Sequence, residues 1–554
     1  MNFLNAISMC LKKRICFILL FLVFFYSVNN FIWMKLDHFP PYGDEAGHLL
    51  DSLEFLNILK NPSLNMINRI IRVNEGEILS FLYPPFFPFF AAILNFFFGY
   101  SIMLSKMSNI FFVAILLFSI YFIGKKMNNP NPGLLAAFIV SMYPFVFGLS
   151  RMFMLDFALT AMVCFSFFCL LYTERFTNRL YSILFGISMG LGMLVKFTFI
   201  FFIIGPFAIE ILSISKGNGL IYNRNRTIIN LIIVFILGSL IAGIWYSSRL
   251  PLFWYFNVTY LRQLKIPELM APKIFSIQSL SYYFNALFNA QITPFFFLLF
   301  LVGLPFFFKK NAKLKYHLLS WVIIPCIIFT LIRVKSWKHT VPYLPAIALI
   351  TASGILNIRN SKVRKFAIYS AIAAGLMQYY IISFTKPEKG IQIRCLGKQH
   401  QAKIFRIPGY TYPITEVFYN YPRQGDWKID EIMRCISENN LRQKEAIIGT
   451  TDAYMQFKTE WFDPNDMIGI PPDNFVVVNC DAINYFCKLK NLSYRTQSLS
   501  MAKSDWRMKP EFDFIISVKR LEEITPVAST FYKLILQVTL PDKSKAYVYK
   551  KALD

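Results

Sequence analysis

The chain has 554 residues, 56% of them hydrophobic and 18% aromatic, with 16% charged and a formal net charge of +26; its mean hydropathy is +0.46. Soluble domains carry about 25% charged residues, and sixty phenylalanines exceed what one soluble core can hide, so the composition implies a polytopic membrane protein. The positive charge lies in short loops between apolar runs, not in a separate basic module, which is the positive-inside pattern and argues against nucleic-acid binding.

In chain order, Lys12, Lys13 and Arg14 precede the apolar run Ile15–Met34. That run is longer than a signal-peptide core and lacks a small-residue cleavage site, so an uncleaved anchor with a cytoplasmic N-terminus is expected. A first external loop, 35–102, follows. It holds Asp44-Glu45 in the string Phe39-Pro40-Pro41-Tyr42-Gly43-Asp44-Glu45-Ala46-Gly47-His48. Within the loop, 83–99 is apolar but opens on Tyr83-Pro84-Pro85 with Pro88 close behind. Placing Lys125-Lys126 in the cytoplasm requires that 83–99 not cross, so an interfacial or re-entrant helix is expected, a full crossing being the alternative.

Apolar runs then lie at Met103–Gly124, ending on Lys125-Lys126, and near 133–150, 157–173, 180–195, 197–213, 227–246, 291–308, 316–333, 340–357 and 364–384. Basic loops around Arg175, Lys216, Lys309 and Arg359 fall inside, whereas the turns at 151–156, 196 and 333–340 and the loop 247–290 fall outside. This gives about eleven crossings with the C-terminus outside.

From 386 to 554 the character changes to an α/β domain, expected to be extracytoplasmic. Strand-like runs stand at Ala446–Thr450, Asn474–Asn479, Phe512–Val518, Leu534–Leu540 and Ala546–Lys550. Ile429, Ile432, Met433 and Ile436 share one helical face, with Asp426 as a candidate N-cap. Of nine cysteines, Cys395, Cys435, Cys480 and Cys487 fall in this part, and no Cys/His metal spacing appears.

The outer face thus collects two sets of charged groups. The carboxylates are Asp44, Glu45 and Asp156; the cations are Arg151, Lys196, Lys335, Lys338 and His339. Charges near membrane depth suggest function. A carboxylate can deprotonate an attacking hydroxyl or amine, and cations can neutralise a phosphate leaving group. Each residue also has a structural reading. Asp44 could cap a helix Glu45–Leu56, and Glu45 could complement its dipole. Arg151 could pair with Asp156, Lys196 could snorkel to the interface, and Lys335 and Lys338 could meet lipid headgroups. Asp44, His48 and Asp51 share a helical face, which would admit a divalent metal without amounting to a specific motif.

These motifs resemble the GT-C type polytopic glycosyltransferases that use lipid-phosphate sugars, among them the dolichyl-phosphate-mannose–protein mannosyltransferases and the aminoarabinose transferases. The resemblance covers 1–385. It rests on Asp44-Glu45 after the first membrane helix, Tyr83-Pro84-Pro85, Ser150-Arg151 followed by Asp156, the glycine-rich run from Gly186 to Lys196, and Lys338 through Pro345 with Tyr343. Where the family usually has Arg-Tyr before its Pro-x-x-Pro segment, this chain has His339-Thr340, and Lys196 stands in Val-Lys-Phe.

The resemblance implies an inverting transfer from a polyprenyl-phosphate monosaccharide to an extracytoplasmic acceptor, whether protein, lipid A or envelope glycan, at a bacterial inner (plasma) membrane. Asp44 would be the general base, with Glu45 and Asp156 in the site. Arg151, Lys196, Lys335, Lys338 and His339 would hold the donor phosphate, and Tyr83, Pro84 and Tyr343 would line the pocket. A transporter or flippase of a lipid-linked substrate and an assembly subunit are the competing classes. The charges sit at the ends of crossings and no internal repeat is evident, which disfavours the transporter.

Overall fold

A computed structural model describes residues 2–41, 43–63, 83–127, 131–215, 224–250, 272–310, 314–384, 392–395, 398–401, 422–440, 446–450, 480–490, 492, 494–498, 512–517, 520–521, 531–541, 543 and 545–552, with side chains from Arg14 onward. The chain divides into two compact units. One comprises Met1–Phe31, Asn57–Tyr410 and Phe418–Asn420; the other comprises Ile32–Leu56, Thr411–Val417 and Tyr421–Asp554.

The first unit is helical. Its helices are α1 (Asn2–Leu36, up to Phe31), α3 (Phe86–Phe98), α4 (Ile102–Met107), α5 (Asn109–Lys125), α6 (Asn131–Ser141), α7 (Pro144–Leu149), α8 (Leu155–Tyr172), α9 (Arg179–Met193), α10 (Phe199–Ser215), α11 (Arg224–Tyr246), α12 (Ile277–Ala286), α13 (Thr293–Lys310), α14 (Lys315–Leu331), α15 (Leu344–Leu356) and α16 (Ser361–Phe384). Helix α2 (Gly43–Lys60) belongs to the second unit up to Leu56. A short antiparallel pair, β1 (Gln392–Cys395) and β2 (Lys398–Gln401), follows α16.

Among the described residues, six helices are long and apolar enough to cross a membrane, and five shorter apolar helices accompany them. In addition, α12 with its π-helical extension Leu287–Gln291 meets α13 at 112°. Thr293, at the break, has φ 69°, a left-handed conformation that a β-branched residue adopts only when its surroundings enforce it. Here its hydroxyl donates to Gln378 Oε1 at 2.6 Å.

Burial sorts the spans. Leu155–Tyr172 and Trp337–Leu356 are 83% and 89% buried, whereas Arg14–Leu36, Arg224–Tyr246 and Ser361–Phe384 are 28%, 17% and 28% buried. The central pair carries Asp156 and the Lys338–Tyr343 motif; the outer helices present apolar side chains. In lipid, helices associate through small residues that let backbones approach. A Cβ on Gly186 of α9 would meet Val234 Cα of α11 at 3.0 Å, and Gly354 of α15 lies directly on the backbone of Gly303 in α13. The glycines before Lys196 are therefore partly a packing device.

The second unit is an α/β layer. Its sheet has the order β4-β3-β5-β7-β6, from β3 (Ile447–Thr450), β4 (Arg495–Ser498), β5 (Phe514–Ser517), β6 (Tyr532–Thr539) and β7 (Lys545–Lys551). Strand β3 runs parallel to β4 and β5, while β7 runs antiparallel to β5 and β6. Helices α17 (Ile429–Asn439) and α18 (Cys480–Leu489) complete it. Ile429, Ile432, Met433 and Ile436 enter the core as their spacing predicts, beside Ile448, Phe514, Ile516 and Val548. The expected strand Asn474–Asn479 lies outside the described residues. Cys435 is half-buried and Cys487 buried.

Two capping expectations are corrected. Lys428, with φ 60°, occupies the N-cap of α17, and the Asp426 carboxylate instead accepts from Lys428 N at 2.9 Å, the local turn that Asp side chains favour. Helix α2 starts at Gly43, so Asp44 lies inside its first turn rather than capping a helix that begins at Glu45.

Candidate functional site

At the start of α8, Met154 is extended and Asp156 falls in the first turn, where the helix dipole favours a carboxylate. Asp156 is only 2% exposed, and Lys196 Nζ donates to its Oδ1 at 2.9 Å. The tight junction of α9 and α10 places Lys196: its N donates to Gly192 O at 3.3 Å and its O accepts from Phe199 N at 3.0 Å. The Phe199 ring fills the space that a Cβ on residue 192 would need. Lys196 therefore turns inward onto a carboxylate rather than snorkelling to the interface, and the ion partner of Asp156 is Lys196 rather than Arg151. The Tyr83-Pro84-Pro85 turn is pinned to the same junction, because Phe86 N donates to Leu194 O at 3.0 Å. Pro84 is buried there and Tyr83 half-buried.

The 3-10 helix Trp337–Tyr343 packs on α8. Gln291, fully buried at the break between α12 and α13, holds it: Nε2 donates to Trp337 O at 2.6 Å and to Thr340 Oγ1 at 2.8 Å, while Oε1 accepts from Tyr343 OH at 3.1 Å. Trp321 Nε1 adds a bond to Pro342 O at 3.0 Å. So fixed, Lys338 and His339 stay half-buried and close enough to Asp156 to interact with it electrostatically, alongside Lys196. The His339 ring stacks on Phe329 with centroids 5.3 Å apart, and its Nδ1 lies 3.4 Å from Tyr283 OH. Tyr343 itself is 1% exposed, so its ring braces this helix.

Two of the expected phosphate ligands are engaged elsewhere. Lys335 Nζ donates to three carbonyls, Phe329 O at 3.2 Å, Thr330 O at 2.7 Å and Ile332 O at 2.9 Å, so it caps the C-terminal end of α14, a place where cations are favourable. Burial lowers its ammonium from 10.5 to about 8. Arg151 is fully buried. Its Nε donates to Asn30 Oδ1 at 3.1 Å and its Nη2 to Ser383 Oγ at 2.7 Å. The guanidinium lies 5.0 Å from the Phe147 ring centroid and 5.2 Å from that of Tyr379, a cation–π arrangement. It ties α1, α7 and α16 together.

In the second unit, Asp44 is exposed on the first turn of α2, whereas Glu45 and His48 are buried, at 3% and 4% exposure. Gly43 has φ 51°, so a glycine suits this entry to the helix. Among the described residues no three His, Cys, Asp or Glu side chains come together to hold a metal ion.

Gln291, Asn30 and Ser383 were not legible in the sequence, because each is a polar residue beside an apolar run whose partner lies on a distant segment. The polar break Asn289-Ala290-Gln291 between aromatic stretches was the available signal for the first.

A family model described as dolichyl-phosphate-mannose-protein mannosyltransferase matches residues 83–246, which include Tyr83, Arg151, Asp156 and Lys196. No curated protein matches the chain. The structure is similar to that of ArnT from Cupriavidus metallidurans bound to undecaprenyl phosphate, at 11% identity and a TM-score of 0.56, over 96% of this chain and 97% of that one. It is also similar to the archaeal oligosaccharyltransferase AglB from Archaeoglobus fulgidus, in complex with an inhibitory peptide and a dolichol-phosphate, at 12% identity and a TM-score of 0.53, over 96% of this chain and 74% of that one. At such identities the likeness shows the fold.

Proposed function

We propose that this polytopic membrane protein, which has the GT-C fold, is an inverting glycosyltransferase that takes its sugar from a polyprenyl-phosphate donor. The observation that carries this reading is the cluster at the head of α8, where Lys196, Lys338 and His339 all act on Asp156, with the Tyr83-Pro84-Pro85 turn bonded to the junction that carries Lys196. Half-buried Lys338 and His339, with Lys196 held in place by Asp156, suit a phosphate monoester or diester, whose charge such cations stabilise as the bond to the sugar breaks. Lys335 serves by holding the backbone at the end of α14, and Arg151 by tying side chains of α1 and α16 to α7.

Asp44, exposed on α2, takes the part of general base. It accepts the proton of an acceptor hydroxyl or amine as that group attacks the anomeric carbon. The bond from that carbon to the phosphate oxygen breaks, its electron pair leaves with the polyprenyl phosphate, and the configuration inverts. Glu45, buried beside it, shapes the first turn. ArnT, bound to undecaprenyl phosphate, and AglB, in complex with an inhibitory peptide and a dolichol-phosphate, favour a lipid-phosphate donor here. The acceptor is an extracytoplasmic protein, lipid A or envelope glycan.

The test compares envelope glycans by mass spectrometry in cells with the wild-type gene, without it, and with Asp44→Asn. A sugar modification that disappears in both of the latter, while the variant still inserts in the membrane, supports the reading. A modification that survives Asp44→Asn overturns it.

A further inference from the structure

The segment that carries Asp44 is clamped by the C-terminal part of the chain, within the second unit. Asp37 Oδ1 accepts from Arg423 N at 2.8 Å, and His38 N donates to Arg423 O at 2.9 Å. The Arg423 guanidinium lies over the Phe39 ring, 3.1 Å from its centroid. Phe39 in turn meets Trp427 edge-on at 4.6 Å and is a member of the hydrophobic core that contains Ile432, Ile448 and Phe514. Further along α2, Glu54 pairs with Lys488 of α18 at 3.1 Å. Asp44 stands between these anchors. The second is half-exposed and weak by nature, so the position of α2 depends mainly on the first.

We infer that the C-terminal unit is a positioning device for the first-loop carboxylates, with Arg423 as its positioning residue. This rests on the reading of Asp44 as the base. Phe39 is five residues ahead of Asp44. It is held by a cation–π contact and the sheet core, and its two preceding residues are held to Arg423, His38 by a backbone bond and Asp37 by a bond that its carboxylate accepts. A base must stand within hydrogen-bond reach of the proton it removes, and displacement by 1 Å costs about 100-fold in rate. Loosening the clamp should therefore slow turnover without touching the cations that take the donor phosphate.

The test uses the full chain in lipid nanodiscs. Turnover is measured with the lipid-linked donor and the acceptor identified by the envelope comparison, retention of undecaprenyl phosphate is measured separately, and amide hydrogen exchange of residues 43–56 is followed by mass spectrometry. Arg423→Ala is expected to lower kcat about 10- to 100-fold at unchanged donor KM and unchanged undecaprenyl phosphate retention, with faster exchange over 43–56. Arg423→Lys, which keeps the charge over Phe39, should recover part of kcat. Asp37→Ala removes the carboxylate bond to Arg423 N, which Arg423→Ala leaves in place; it loosens the clamp without entering the sheet core and should give the same kcat loss if Arg423→Ala folds poorly. Wild-type kcat and exchange in both Ala variants, with Asp44→Asn inactive, would overturn the inference and leave the reading of Asp44 intact. An active Asp44→Asn would instead remove the reading itself.

Discussion

Asp44 and Asp156 each stand in the first turn of a helix, where the dipole welcomes a carboxylate, yet their settings are opposite. Asp44 is exposed, on a helix anchored to a small α/β unit. Asp156 is 2% exposed in the centre of the helical unit and bound to Lys196 at 2.9 Å. The Asp156 carboxylate is committed to an ammonium, which gives it the part of holding a cation. The base chemistry proposed for Asp44 needs a carboxylate that a substrate can reach, and Asp44 is the exposed one of the two. Changes at the two positions should therefore show up in different measurements.

The largest expected effect is on rate. Asp44→Asn keeps the shape of the residue and removes only its basicity, so transfer should fall by about 100- to 10,000-fold, the range of general-base contributions. Its melting temperature in detergent should stay near that of the wild type, since an exposed first-turn carboxylate contributes only about 0.3–1 kcal/mol through the helix dipole. A large drop in melting temperature with Asp44→Asn would place Asp44 in the same structural class as Asp156 and erase the contrast.

How much of this was legible beforehand differs between the two residues. Asp44-Glu45 is conspicuous because local composition alone sets it apart, and the face of α17 reads directly because Ile429, Ile432, Met433 and Ile436 repeat at helical spacing. The embrace of Asp156 by Lys196 spans 40 residues, and that of Arg151 by Ser383 spans 232. No periodicity encodes which distant helix supplies a partner. The same limit hid the grouping of Ile32–Leu56 with the C-terminal unit, which depends on Phe39 finding Trp427 across the chain.

The second effect is on stability and belongs to Asp156. Lys196→Met leaves a buried carboxylate without its ammonium, and breaking a buried pair from one side costs about 3–5 kcal/mol. Lys338 and His339 already act on Asp156, so the loss should fall at the lower end of that range. The pair Asp156→Asn with Lys196→Met removes both charges and should recover most of the melting temperature lost in the single variant. Transfer should stay low in the double variant if the ammonium also meets the donor phosphate. A Lys196→Met protein with wild-type melting would mean that Asp156 does not depend on this partner.

The smallest effect is a pH dependence at the edge of the cation cluster. Burial lowers the Lys335 ammonium from 10.5 to about 8, and its three bonds hold the end of α14 ahead of the helix that carries Lys338 and His339. In the unfolded chain this lysine keeps its proton up to about 10.4. Between about pH 8 and that value the unfolded state therefore binds more protons than the folded one, so the contribution of Lys335 to stability rises with pH there. The cap behaves in the opposite way: above about pH 8 the folded amine loses one of its donors and its charge, and the hold on the segment weakens. Donor KM should thus rise a few-fold as pH passes through about 8, with kcat for bound substrate little changed. Lys335→Arg, whose guanidinium does not titrate in this range, should flatten that rise. If the rise persists unchanged in Lys335→Arg, the titrating group lies elsewhere, and Lys338 and His339 hold their place without the cap.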